Sequence, residues 1–248
     1  MQKLVTKLTY NYIGLLCILG GSGLLSFTAQ AQSEIDFSLD LAWDSQYISE
    51  GRNNLDDGGI AWAMASINQD NLIIYAVLGR GDQSHYIEWN FGVEYAVNFA
   101  ENFEATFGYQ RLEFYGAERA SDNELFSTLT YSGVEWLIPA ISYTYSTEAA
   151  GYFIEVSLHS PWEITDTFTV TPYVLQGFDF NYVTEEHNGA NHFQFGLELG
   201  YQFTDNIYAM AHVNHSIALD DIKQQAKNEQ FEDDLDQTYA GVFINWQF

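Results

Sequence analysis

Tyr86-Ile87-Glu88-Trp89-Asn90-Phe91-Gly92-Val93-Glu94-Tyr95-Ala96-Val97-Asn98-Phe99 alternates without a break. Ile87, Trp89, Phe91, Val93, Tyr95, Val97 and Phe99 share one face, and Tyr86, Glu88, Asn90, Gly92, Glu94 and Ala96 share the other. A period of two is the signature of a strand, whose successive side chains point to opposite faces. The stretch is also long enough to cross a bilayer, for which a tilted strand needs about 9–11 residues.

The same pattern recurs on both sides. Phe193, Phe195, Leu197, Leu199, Tyr201 and Phe203 alternate with polar or small residues, as do Ile35, Phe37, Leu39, Leu41 and Trp43. Between turn signals, twelve such segments can be placed, at 34–47, 60–68, 72–80, 85–99, 104–116, 122–132, 136–147, 151–159, 166–178, 191–203, 206–217 and 237–248. Residues 68–71, 100–103, 132–135, 160–165 and 204–205 read as tight turns, whereas 49–59, 116–121, 179–190 and 218–236 read as longer polar loops. Short turns at one end and long loops at the other are the pattern of an up-and-down transmembrane β-barrel. The expected fold is all-β, a twelve-stranded antiparallel barrel with both termini on the tight-turn, periplasmic side. Helical periodicity is confined to a weak stretch near 222–235.

Composition agrees with this reading. Aromatic residues make up 17% of the 248 residues and charged residues only 17%, against ~25% in soluble domains. A soluble sandwich would also alternate, but its solvent face would carry mixed charges. Here the polar face is Gly, Ser, Thr, Asn, Gln and carboxylates, which suits a wet interior. Trp43, Trp62, Trp89, Phe99, Trp136, Tyr201, Phe203 and Trp246 lie near segment ends, where interfacial aromatic girdles are expected.

Residues 1–31 read as an export signal. Lys3 and Lys7 precede an apolar stretch from Ile13 to Leu25, and Ala29-Gln30-Ala31 is a small-x-small cleavage site with Gln32 as the new N-terminus. Residues 32–248 are then the barrel domain. Without the leader, six bases face thirty-four acids, a net charge of −28, which excludes a nucleic-acid partner. Cys17, the only cysteine, leaves with the leader, so no thiolate chemistry is available to the barrel. At the other end Thr238, Ala240, Val242, Ile244, Trp246 and Phe248 share a face. A final strand ending in Phe resembles the signal read by the barrel-assembly machinery.

The stretch Trp43-Asp44-Ser45-Gln46-Tyr47-Ile48-Ser49-Glu50-Gly51-Arg52-Asn53 resembles the Ser-Asp-Tyr-x-x-Arg-Gly element of the TorF family of porins. Ser45, Tyr47 and Gly51 match. Gln46 stands in place of the Asp and Glu50 in place of the Arg, with Arg52 two residues later. Asp56-Asp57-Gly58-Gly59 and Pro172-Tyr173-Val174 are also similar. The resemblance spans the barrel domain and implies an outer-membrane channel.

On the polar face, Asp36, Asp40, Asp44, Glu88, Glu94, Glu155 and Glu198 are expected to point into the lumen, where acids attract cations and repel anions. Arg80 and Arg111 are the only bases inside expected strands, and Arg111 shares parity with Phe107 and Tyr109. It must therefore lie above the hydrocarbon or follow a bulge. The acidic loops Asp220-Asp221, 232–236 and Glu185-Glu186-His187 lack the ligand spacing of a calcium loop and read as solvated.

His212 and His215, three apart on a strand, point to opposite faces and cannot clasp one metal. His159-Ser160 and His215-Ser216, adjacent in sequence, cannot form a strand-borne dyad. No catalytic residue, metal or cofactor is expected. The expected activity is passive diffusion of small cationic or neutral solutes. The expected partners are outer-membrane lipid and lipopolysaccharide, and the assembly machinery through the strand ending at Phe248. A non-conducting barrel with acidic extracellular loops is the second reading, and an outer-membrane hydrolase the third.

Overall fold

The structure is a computed structural model that describes residues 35–55, 57–116, 119–184, 187–230 and 234–248. The expected leader and its cleavage site, together with Asp56, Glu185, Glu186, Glu232 and Asp233, lie outside the described residues. In chain order the strands are β1 (Ile35–Asp44), β2 (Ile48–Ser49), β3 (Arg52–Asn53), β4 (Ile60–Gln69), β5 (Leu72–Gly81), β6 (Ile87–Phe99), β7 (Phe103–Tyr115), β8 (Arg119–Tyr131), β9 (Ile138–Ser146), β10 (Gly151–His159), β11 (Trp162–Thr165), β12 (Phe168–Phe180), β13 (Asn188–Thr204) and β14 (Ile207–Ala218). A helix, α1 (Asp220–Glu229), precedes β15 (Gln237–Gln247).

Twelve of these strands close into one antiparallel barrel. Each long strand pairs with the next in sequence, and β10 pairs directly with β12. Closure comes from β1 against β15, from Ser38↔Gln247 to Asp44↔Gly241. Phe37 and Phe248 add reciprocal backbone hydrogen bonds of 3.0 Å each. Closure leaves no long edge unpaired, the condition for a sheet in hydrocarbon. The start of β1 and the end of β15 thus lie side by side at the tight-turn end, as an even strand count requires.

The outer and inner faces sort as the alternation predicts. Phe37, Leu39, Leu41, Trp43, Phe91, Val93, Leu199, Val242 and Ile244 point outward and are exposed. Trp43 and Trp89 mark the long-loop rim, while Phe99, Phe203 and Trp246 mark the tight-turn rim. A surface of this kind, apolar with aromatic borders, is built to face lipid.

Trp62 is a correction. It is only 5% exposed and points inward, while the outward positions of β4 carry Ala61, Ala63, Ala65 and Ile67. The inner wall of β4 and β5 is apolar, with Ile60, Trp62, Met64, Ile73, Tyr75 and Val77 packed together. Several inward rings lie over an inward glycine on the paired strand. A Cβ on Gly79 would meet the Trp62 ring at 2.2 Å, and one on Gly92 would meet Tyr75 at 2.1 Å. The glycines on the polar face are the hollows that let large side chains fit inside a narrow barrel.

Three other expectations change, and one open alternative is decided. The first strand ends at Asp44 rather than at 47, because the chain there turns into the barrel. Residues 160–165 are not a plain turn but contain the short, exposed β11, which extends the sheet beside β12. The 218–236 connection contains α1, whose Asp221, Ile222 and Ala226 are buried, so Asp221 is not a solvated loop residue. Arg111 needs no bulge: the β6–β7–β8 ladder is in continuous register, and the side chain lies outward near the long-loop end, 2.7 Å from Glu113.

Candidate functional site

The apolar wall on β4 and β5 explains where residues 45–55 go. Water cannot satisfy such a surface, and the segment after β1 covers it. Tyr47 and Leu55 are buried against it, with the Tyr47 ring edge-on to Trp62 at 5.3 Å and 77°. The Tyr47 hydroxyl donates to Glu88 Oε2 at 2.7 Å. Burial, with Glu88 beside it, pushes this phenol well above its usual pKa, so it stays a donor. β2 and β3 form a minimal hairpin whose central residues, Glu50 and Gly51, both have positive φ (46° and 73°). That is the turn for which glycine is preferred at the second position. Gly51 also sits on His192, whose Cγ would lie 2.5 Å from an added Cβ.

Of the residues that carry the motif resemblance, Tyr47 and Gly51 line the lumen, Arg52 is tied to α1, and Ser45 stays on the barrel wall. Ser45 continues the β1 ladder, donating its amide to the Ala240 carbonyl at 2.8 Å. Arg52 donates from Nη2 to Asp221 Oδ2 (2.8 Å), from Nε to Gln225 Oε1 (2.9 Å) and from Nη1 to the Glu50 carbonyl (3.0 Å). Asp221 also accepts from Asn191 Nδ2 at 3.0 Å and Thr184 Oγ1 at 3.2 Å. A register shift after Gly177 leaves Asn191 without a partner on β12, and both Asn191 and His192 are buried side chains. The segment 45–55 is thus packed on one wall and tied to α1 at the other.

Of the seven expected lumen carboxylates, six are buried inside the barrel: Asp40, Asp44, Glu88, Glu94, Glu155 and Glu198. Asp36 keeps the inward parity but is exposed at the tight-turn rim. The acids that sequence reasoning missed are Glu104, Asp122 and Glu124, on the same parity in β7 and β8, and Glu50, Asp179 and Asp221. Glu104, Asp122 and Glu124 were available from the alternation. The others enter through the inward segment, the top of β12 and the helix, which no periodicity announces. The arginines of the long strands do not answer these acids: Arg80 and Arg111 face outward, and Arg119 is exposed at the start of β8, over the Tyr115 ring.

Part of the charge is held by fixed donors. Glu88 accepts from Tyr47, Tyr86 (2.6 Å) and Asn90 Nδ2 (2.9 Å). Glu124 accepts from Gln110 Nε2 at 2.6 Å and from the Tyr182 hydroxyl. Asp40 accepts from Asn245. Asp44 meets His212 Nε2 at 2.9 Å, and Asn214 Nδ2 lies 2.8 Å from His212 Nδ1. Asn214 then accepts from Tyr173 at 2.8 Å, which accepts from Gln194 at 2.7 Å. His212 is buried while His215 pairs with Thr238 on the outer side, the opposite orientations that their spacing predicts. His159 stacks on Tyr173 at 4.9 Å, while the Ser160 hydroxyl donates to the Trp136 carbonyl. The two are not a dyad.

The inward segment divides the lumen. A chamber of about 460 Å³ lies on the β5–β10 side and a smaller one of about 80 Å³ on the side of β12, β13 and β15. Tyr47, Ser49, Glu50 and Glu155 line both. Glu50, half-buried here, has its carboxyl pushed up to about 7 by burial and by the carboxylates of Glu124 and Asp179, against the opposing effects of Ser49 and Arg52.

Barrel and lumen together define the class. The chain has the fold of outer-membrane porins and channels. It is similar to the KdgM porin, with a TM-score of 0.60 at 12% identity over 85% of this chain and 99% of that one. It is also similar to the NanC porin (0.55, 11%, covering 85% and 98%) and to the COG4313 outer membrane channel from Pseudomonas putida F1 (0.54, 7%, covering 88% and 97%). No family model matches the sequence, and no curated protein matches it. At these identities the likeness is one of fold.

Proposed function

We propose that this chain is a porin of the Gram-negative outer membrane that lets small cationic or neutral solutes diffuse across it. The observation that carries the reading is the charge of the enclosed space. Asp40, Asp44, Glu50, Glu88, Glu94, Glu124, Glu155 and Glu198 surround it, and the one guanidinium beside them, Arg52, is engaged by Asp221. Fields in a narrow, low-dielectric channel are focused, so such a lining concentrates cations and excludes anions. One KdgM structure is described as a complex with disordered oligogalacturonate, a polyanion. A lumen lined by acids would repel such a polyanion, which is why cationic or neutral solutes are proposed here.

The resemblance to the TorF family is supported by the place of Tyr47, Gly51 and Arg52 at the pore. Lipid and lipopolysaccharide surround the apolar belt in this reading. The strand ending at Phe248, whose ring stacks 6.2 Å from Phe37, is the segment offered to the assembly machinery. A second reading, a barrel closed to solutes and acting in adhesion or envelope stability, is favoured by one feature, the Arg52–Asp221 tie between the inward segment and α1. Planar bilayers separate the two. Stepwise conductance with a cation-biased reversal potential supports the pore, and silence at high protein dose supports the closed barrel.

A further inference from the structure

The larger chamber is lined by six carboxylates, Glu50, Glu88, Glu94, Asp122, Glu124 and Glu155, with amide and hydroxyl side chains between them. Glu88 and Glu124 are held by phenol and amide donors, as described above. Glu94 and Glu155 also line it, 5% and 8% exposed, and neither makes a hydrogen bond or ion pair among the described residues. Asn90 lines it too and is 2% exposed. Its Nδ2 is fixed on Glu88, which leaves Oδ1 buried without a partner. Buried polar atoms are seldom left unpaired, because each has given up its hydrogen bonds to water with nothing in return. Aside from hydroxyls, which serve either way, the buried groups of this chamber without a partner among the described residues are acceptors: Glu94, Glu155 and Asn90 Oδ1. Its complement must bring N–H donors and positive charge.

The rest of the wall is aromatic. Tyr75, Tyr86, Phe153 and Tyr182 line the chamber, and ring faces attract cations while covering a carbon chain. The volume, about 460 Å³, is within the range of sites that enclose a small organic molecule. Glu94 on β6 and Glu155 on β10 stand four strands apart around the wall, which suits a solute with charge at both ends. We propose that this chamber binds organic amines, with ammonium groups on Glu94 and Glu155 and the carbon chain against the rings. The inference gives the pore reading a substrate class and rests on it for transport, while binding itself is read without current.

Calorimetry of the refolded, detergent-held barrel tests it, with 1,5-diaminopentane as probe, 1,5-pentanediol as its neutral match and glutarate as its anionic one. Circular dichroism and the boiling-dependent gel shift establish that each variant is folded. The diamine is expected to bind and the diol and glutarate to fail. Glu94→Gln and Glu155→Gln should each weaken the diamine by roughly tenfold or more, while Asp36→Asn at the rim leaves it unchanged. Equal binding of diol and diamine, or wild-type affinity in both glutamine variants, overturns the proposal. Diamine binding without conductance in bilayers keeps the site and removes the pore. Conductance without diamine binding does the reverse.

Discussion

Arg52 and Asp221, 169 residues apart, form an ion pair of 2.8 Å in which the aspartate is fully buried and the guanidinium nearly so. The pair joins the inward segment to α1, two elements with no backbone ladder between them. Removing one partner of a buried pair leaves an uncompensated charge and costs roughly 3–5 kcal/mol. Arg52→Ala should therefore destabilise the mouth, expose residues 45–55 to added protease and raise single-channel conductance. Arg52→Ala/Asp221→Ala should cost less than the sum of the two single changes, since no orphaned charge remains. Additive costs in thermal unfolding would show that the two residues do not act together.

Trp62 holds the inward segment from the other side. Trp62→Ala removes the surface on which Tyr47 rests and leaves a cavity, a change worth about 3–5 kcal/mol in a packed core. Conductance should rise with it, because Tyr47 loses its seat. Gly79→Val tests the same contact from beneath the ring. The added side chain must displace Trp62, and the expected loss is about 1–3 kcal/mol. If both variants unfold like wild type, the segment is not seated on this wall.

The twelve long strands were legible because the membrane imposes a strict period of two and the turns interrupt it cleanly. Residues 86–99 and the observed Ile87–Phe99 nearly coincide. The Trp62 expectation fails because β4 inverts the rule toward its long-loop end: Ala61, Ala63 and Ala65 face outward, and Ile60, Trp62 and Met64 point inward to carry the loop. The inward course of 45–55 had a trace in the sequence, the Tyr47 and Gly51 motif, but no periodic signal. Asp221 looked like one more loop acid. Only the helix places it against Arg52, a contact across most of the chain that local patterns cannot announce.

Val93, at the middle of β6 and exposed on the outer face, tests the lipid-facing assignment. Val93→Arg should cost roughly 2–4 kcal/mol in bilayer-based folding, and Ile35→Arg at the rim only about 0–1. The depth dependence is the readout, as a soluble barrel would tolerate both alike. Similar costs at the two positions in lipid vesicles would remove the membrane band from β6.

Glu50 predicts a pH dependence whose sign is fixed. Its carboxyl is raised in the folded barrel from the ordinary 4.5 to about 7, mainly by burial. The fold therefore favours the protonated form. The stability this gives is complete below pH 4.5 and is lost as pH rises through 7. Ionisation also adds a negative charge to a side chain that lines both chambers, so cation preference should rise across the same window. Other lumen acids contribute to the total, and the difference between wild type and Glu50→Gln isolates this one. Between pH 5 and pH 8, wild type should lose more thermal stability than Glu50→Gln, and its reversal potential in a salt gradient should move further toward the cation limit. Equal changes in the two proteins would mean that Glu50 is already ionised at pH 5 and that the inward turn is wetter than its packing implies.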